Sequence, residues 1–461
     1  MGFDSVFFIS CLLPVGLILY WLIPGNRGKN ALLLLLSLLF YAFGSISALG
    51  LLLAAAVFNF LWGRLLRPGR KILLILGVGA NLAYLFVFKY LHFFLNQVVG
   101  LESDLGLAAP LGMSFFLFKA ISFLVDTYRR PESTKGSFWD FLQYLSFFPQ
   151  VTAGPIARYD QFAPQLASRR LTIPEAAAGI RRFIVGLGKK VLLCTALAQA
   201  ADGVFALEAG SLNLPLAWLG AVAYLLQIYF DFSGYSDMAI GLGQALGFST
   251  PENFRYPYAA ASIGDFWRRW HLSLSYWFRD YVYISLGGNR KGKYRTALNK
   301  IIVFALCGAW HGAAWTFLAW GLWHGLFSAL ESLGIVPVKR LSQSRGGRGV
   351  LHVYTLLVVC LGFVLFRAES LVQAGSIVGA MFAGFTFPAE AAVALYRLCS
   401  WETLGVLVLG GVLSLPVKPW LQKHLPKWTE PLTYAGCLLL LALCMMKLAA
   451  GGFAPFIYAQ F

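Results

Sequence analysis

The chain has 461 residues, of which 59% are hydrophobic and only 12% charged, and its mean hydropathy is +0.69. A soluble domain carries about 25% charged residues, so a water-facing surface of this size is excluded and the chain must sit in lipid. The formal charge is +17, from 37 basic and 20 acidic side chains. With no polar folded domain or tail, that excess excludes nucleic-acid binding and reads as positive-inside bias with contact to anionic headgroups.

Apolar runs such as Leu32–Phe43, Leu49–Phe60 and Ala435–Met446 recur along the chain. They predict an all-α, polytopic membrane protein with roughly eleven spanning helices across a core of about 30 Å, plus re-entrant or interfacial pieces. Phe3–Ile23 has no basic stretch before its apolar run and no small-residue cleavage site, so it reads as a retained first helix. Basic groups then alternate with span ends: Arg27 and Lys29, then Arg64 to Lys71, then Arg129 and Arg130, against an acidic loop at Glu102 and Asp104. That alternation predicts an extracytoplasmic N-terminus and cytoplasmic basic loops.

Residues 129–190 form the longest polar insertion and read as a cytoplasmic or re-entrant platform. Pro149 and Pro155 prevent one clean helix there. Leu192–Ala206 and Ala217–Phe230 read as spans. Tyr229–Gly243 then mixes aromatics with glycines that permit close helix approach. Asp231 and Asp237 in that stretch need partners, either a hydrogen-bond network or a substrate. Residues 252–286 combine Arg255, Arg268, Arg269 and Arg279 with Trp267, Trp270 and Trp277, a membrane-interface composition. After Asn299 the chain is apolar again to Leu333, and Arg340–Arg348 and Lys418–Lys427 form further basic loops. Between 366 and 417 the alternation fails, so one apolar piece there is expected not to cross. There is no transporter-like internal repeat. The whole of 1–461 reads as a single integral-membrane domain: N-terminal helices 1–128, the segment 129–190, a core at 215–333 and C-terminal helices 349–461.

Three of the six histidines, His271, His311 and His324, fall between 265 and 325. His311 lies in Gly308-Ala309-Trp310-His311-Gly312-Ala313-Ala314, where small residues leave room for a ligand or a neighbouring backbone. A neutral imidazole can accept a proton at working pH, and a titratable ring at this depth is costly unless paired or used. His271 follows Trp-Arg-Arg-Trp, and on pattern alone faces the interface. His324 lies 13 positions after His311. On one continuous helix that is roughly 140° round the axis, so His324 reads as a packing residue. Cys307, four positions before His311, shares its face and admits a thiol relay, although a buried cysteine more commonly packs. The seven cysteines are scattered and show no metal-ligand spacing. Serine-nucleophile, zinc-protease and phosphate-loop motifs are absent, which points to a base acting directly on a substrate hydroxyl.

Several blocks carry a resemblance: Pro110–Arg129, Phe147–Tyr159, Tyr229–Gly241, Asn253–Pro257, Phe266–Asn289, Gly308–Gly325 and the terminal Pro455–Phe461. Together they resemble the membrane-bound O-acyltransferase (MBOAT) family, in its alginate O-acetyltransferase branch, nearly end to end. The most specific are the Trp-Arg-Arg-Trp-His block and the Trp-His-Gly block. The resemblance implies a fold around a central tunnel, with His311 as the catalytic base and His271 as the second active-site histidine. Trp310, Asp231, Asp237, Arg268, Arg269, Arg290, Lys291 and Lys293 become candidates for the acyl-donor path or tunnel. It further implies a cytoplasmic thioester donor such as acetyl-CoA, no tightly bound cofactor or metal, and an exported polysaccharide as final acceptor. The partner it implies is an extracytoplasmic AlgJ/AlgX-like protein of esterase fold. A cytoplasmic basic rim of Arg158, Arg290, Lys291 and Lys293 would attract a phosphate-bearing donor. Lys119, Ser285 and Ala459 depart from the branch's usual glutamine, proline and aromatic residue. Alternative readings are D-alanyl transfer to teichoic acids, a transporter or flippase, and a non-catalytic membrane scaffold.

Overall fold

The computed structural model describes residues 2–102, 105–107, 109–451 and 457. Asp104 and, apart from Ile457, the terminal motif 455–461 lie outside these residues, as does the side chain of Lys427. Among the described residues the chain is helical, without a strand. Helices are the expected answer for a backbone in lipid, because they satisfy their own N–H and C=O groups. Six are long and apolar enough to cross a membrane: Ile46–Leu65, Lys71–Val99, Ile173–Phe205, Leu214–Ala245, Arg345–Arg367 and Glu430–Ala449. The pair Ala389–Leu398 and Trp401–Leu413, bent by 65°, makes a seventh if taken as one broken span. Other apolar stretches of the sequence fold as shorter helices, such as Phe8–Leu22, or as helices diluted by polar and small residues, such as Gly292–His311.

Where the alternation of basic loops fails, the chain holds the 13-residue helix Leu371–Ala383 and then the bent pair. Such a helix rises about 20 Å, short of a ~30 Å hydrocarbon core. The platform segment breaks as its prolines require, into Phe138–Ser146, Phe148–Val151 and Tyr159–Ser168. Ile173–Phe205 runs as one long helix through residue 190. Charges that read as loop are accommodated in this helix because Arg182 and Lys190 each find carboxylates.

Chain contacts separate two units. One gathers residues 2–186 with Tyr235–Glu252, and the other Leu187–Gly234 with the described residues from Asn253 to Ile457. In the first, polar groups are matched inside the apolar body. Asn59 and Asn81 exchange amide bonds of 3.0 and 2.8 Å. Arg182 forks onto Glu252 at 2.6 Å through both terminal nitrogens and reaches Asp237 at 2.9 Å through Nε. A Cβ on Gly179 or Gly241 would stand 2.5 Å from the other's carbonyl oxygen, so these glycines set a close helix crossing. Lys119 is buried and donates to the Tyr144 carbonyl and to Gln150 Oε1, both at 2.9 Å, with its ammonium over the Tyr144 ring.

The second unit is built on a helical hairpin, Gly292–His311 and Trp315–Leu333, turned by Gly312–Ala314. Its arms touch backbone to backbone. A Cβ on Gly308 would meet the Phe317 carbonyl oxygen at 2.3 Å, and one on Gly321 the Phe304 carbonyl oxygen at the same distance. Arg345–Arg367 packs across the second arm, where Trp323 Nε1 donates to the Val358 carbonyl at 2.8 Å. Within the same unit, the Tyr258 hydroxyl donates to the Leu225 carbonyl of helix Leu214–Ala245.

Candidate active site

His311 is the last residue of the first hairpin arm, and Gly312 after it is extended. The imidazole is 3% exposed. Three rings meet it edge to face: Trp310 at 4.8 Å, Trp320 at 4.9 Å and Phe366 at 5.1 Å between centroids. The small residues beside it admit the neighbouring arm: Gly308 faces the Phe317 carbonyl and Gly321, and a Cβ on Gly312 would strike the Phe317 ring at 2.2 Å. At Gly308 the space admits the backbone of the neighbouring arm, and at Gly312 the Phe317 ring.

The helix break also changes the place of His324. It stands on the returning arm, and Trp320 touches both its ring and that of His311, at 5.2 and 4.9 Å. His324 is fully buried against Phe266, Trp267 and Trp320, and neither ring nitrogen has a hydrogen-bond partner among the described residues. It packs as an aromatic ring.

His271 sits between the short helices Ile263–Trp267 and Leu272–Trp277, with φ +43. Two backbone bonds close the loop that leads to it: Leu272 N to Asn253 O at 3.0 Å, and Arg255 N to Arg269 O at 2.9 Å. That closure corrects the interfacial reading. The arginines do face outward, Arg268 with its side chain 72% exposed, but Trp270 and His271 are turned into the body. His271 Nδ1 lies 3.2 Å from Asn253 Oδ1, and the Phe232 ring meets the imidazole edge-on at 4.5 Å. The Trp310 centroid is 6.4 Å away. Trp310 therefore touches His311 and neighbours His271.

The remaining candidates fall elsewhere. Asp231, one residue from Phe232, is fully buried and holds Lys190 Nζ at 2.5 Å and the Ile457 amide at 2.7 Å. Asp237 belongs to the other unit, on Arg182. Arg268 and Arg269 pair with Asp265. Arg290, Lys291 and Lys293 are exposed where Gly292–His311 begins. At 1.5 Å per residue, Lys293 lies about 27 Å along the axis from His311. Asn253, Trp320, Phe366 and Lys190 were not among the sequence candidates. Asn253 did fall inside a family-like block, which was its available signal. Lys190 lies 41 positions from Asp231, and no sequence period joins them.

A helical body with several apolar spans holds two buried histidines beside one tryptophan, an arrangement compatible with an integral-membrane group-transfer enzyme. The chain belongs to the MBOAT family, the membrane-bound O-acyltransferases, whose model matches residues 38–372. Within it the chain is an O-acetyltransferase, similar over the full length of both chains, at 37% identity, to the probable alginate O-acetylase AlgI of Pseudomonas putida. It is 35% identical to the peptidoglycan O-acetyltransferase of Helicobacter pylori over 81% of this chain and 78% of that one. Against the teichoic acid D-alanyltransferase of Bacillus subtilis, identity is 30% over 56% of this chain and 69% of the relative.

Proposed function

We propose that this enzyme takes an acetyl group from a cytoplasmic thioester donor, such as acetyl-CoA, and passes it across a bacterial plasma membrane for O-acetylation of an exported, alginate-like polysaccharide. The observation that carries the reading is the burial of His311 within Trp310, Trp320 and Phe366, with His271 near the same Trp310. The acceptor class comes from the relatives, one named for alginate and another for peptidoglycan, both glycans.

His311 is the general base. It takes the proton of the acceptor hydroxyl as that oxygen attacks the thioester carbonyl carbon. The tetrahedral intermediate collapses, the carbon–sulfur bond breaks, and His311 returns the proton to the leaving thiolate. The aromatic walls keep water from the thioester. His271 orients a reacting group. Arg290, Lys291 and Lys293 form the cytoplasmic lip for the donor's phosphates, the N-terminus is extracytoplasmic, and an esterase-fold partner receives the acetyl group outside.

The test is single-turnover transfer of labelled acetyl by the enzyme in nanodiscs. His311→Ala should lose more than about 100-fold, the usual share of a general base. Normal transfer by a folded His311→Ala enzyme would sink the assignment. Preference for a D-alanyl thioester would reassign the donor, and substrate flux without bond cleavage would make the chain a transporter.

A further inference from the structure

His271 meets a polar partner whose identity the geometry decides. Asn253 is fully buried, and one atom of its amide faces three groups: the Ser273 backbone nitrogen at 3.2 Å, the Ser273 hydroxyl at 2.9 Å and His271 Nδ1 at 3.2 Å. A backbone N–H can only donate. The amide atom at this point is therefore the carbonyl oxygen, and an oxygen can only accept. His271 Nδ1 must then carry a hydrogen. Whether the ring is neutral or charged, Nδ1 is protonated, and Nε2 is the one ring atom that can gain or lose a proton.

We infer that Asn253 is a positioning residue that holds His271 as its Nδ1–H tautomer and so presents Nε2 to the reaction as an acceptor. This rests on the reading that His271 belongs to the acyl-transfer site. The surroundings agree with a built arrangement. The loop is closed on both sides of the contact, by Leu272 N on Asn253 O and by Arg255 N on Arg269 O. Within it, His271 and Tyr256 adopt positive φ, at +43 and +50, a conformation that non-glycine residues rarely take. Strain of this kind persists only where neighbouring contacts over-determine it. The Phe232 ring packs edge-on against the imidazole at 4.5 Å between centroids.

Among the described residues, the carboxylates of Asp231 and Asp265 and the Tyr258 hydroxyl are engaged with other groups. Asp231 is held by Lys190, and Asp265 by Arg268 and Arg269. The Tyr258 hydroxyl donates to the Leu225 carbonyl. The other titratable ring, His311, lies in contact with Trp310.

The experiment has two arms on the full-length enzyme in lipid. In the first, 15N-histidine NMR is recorded for wild type, with His271 assigned by difference against His271→Gln. A pyrrole-type Nδ1 and a pyridine-type Nε2 are expected for the neutral ring, and the reverse pattern overturns the inference. This arm does not depend on turnover. If it shows Nδ1–H while the wild type transfers acetyl from no donor, the tautomer assignment stands and the acetyl-transfer reading falls. In the second arm, pH–rate profiles are compared. Asn253→Asp keeps the acceptor and adds a negative charge that favours the imidazolium, so the acid limb should move to higher pH by about one unit or more. Asn253→Leu should lose roughly 10–100-fold in turnover, the range for residues that orient a histidine through its second nitrogen. A folded Asn253→Asp enzyme with an unmoved acid limb would show that Asn253 only shapes the loop.

Discussion

His311 stands at the end of a 20-residue helix against the rings of Trp310, Trp320 and Phe366, whereas His271 sits in a closed loop between two short helices with Nδ1 against an amide oxygen. Edge-to-face rings fix where an imidazole lies without dictating which nitrogen bears the hydrogen. An amide oxygen does dictate it. On the proposed roles, His311 is the ring that takes up a proton and gives it back, and His271 the ring that holds one orientation. The supports differ too. Behind His311 lies backbone-to-backbone packing of Gly308 and Gly321, and beside Phe232, which backs His271, lies the buried pair Lys190–Asp231.

The contrast can be broken from either side. The largest effect is expected from Gly308→Leu. Its Cβ would stand 2.3 Å from a backbone oxygen that cannot step aside, so the hairpin should not form and the protein should not elute as a monodisperse species from a sizing column. Lys190→Met attacks the His271 side. It leaves Asp231 buried without its cation, a loss of about 3–5 kcal/mol, read as a lower midpoint of thermal unfolding in detergent. Adding Asp231→Leu to that variant should recover much of the loss, because replacing both partners of a buried pair is far milder than removing one. Phe366→Ala removes one of the rings packed on His311. An aromatic pair contributes about 0.5–1.5 kcal/mol beyond its area, so turnover should fall up to about 10-fold while the pH profile keeps its shape. The smallest effect is reversal of Arg290, Lys291 and Lys293 to glutamate. The apparent KM for the donor should rise several-fold at low salt, less at high salt, with membrane insertion unchanged.

Much of this arrangement was legible in the sequence because it rests on local pattern. Low charge and apolar runs fix a helical membrane body, and the prolines at 149 and 155 fix the broken platform. His311 and Trp310 stand out through their setting. What pattern misses is what depends on chain closure. The Trp-Arg composition before His271 reads as an interface, and only the backbone bonds between 253–255 and 269–272 turn that histidine inward. A helical wheel separates His311 from His324, yet the break at Gly312 places Trp320 against both. Lys190 reads as a loop charge until Asp231 is seen across from it. Lys119 is the instructive case in the other unit: a residue that departs from the branch's usual glutamine still finds acceptors in the Tyr144 carbonyl and Gln150.

The first arm of the hairpin is also a ruler. Its charged end and its histidine end are about 27 Å apart along one continuous helix, close to the ~30 Å of a bilayer core. On the proposed donor path, a donor that grips the lip with its phosphates and offers its acetyl group at His311 must carry the two on a long arm. A compact donor such as acetyl phosphate can satisfy only one end at a time. Reversing the lip charges should therefore separate donors by their reach: turnover with a long-armed thioester should weaken, and any turnover with acetyl phosphate should stay as it was.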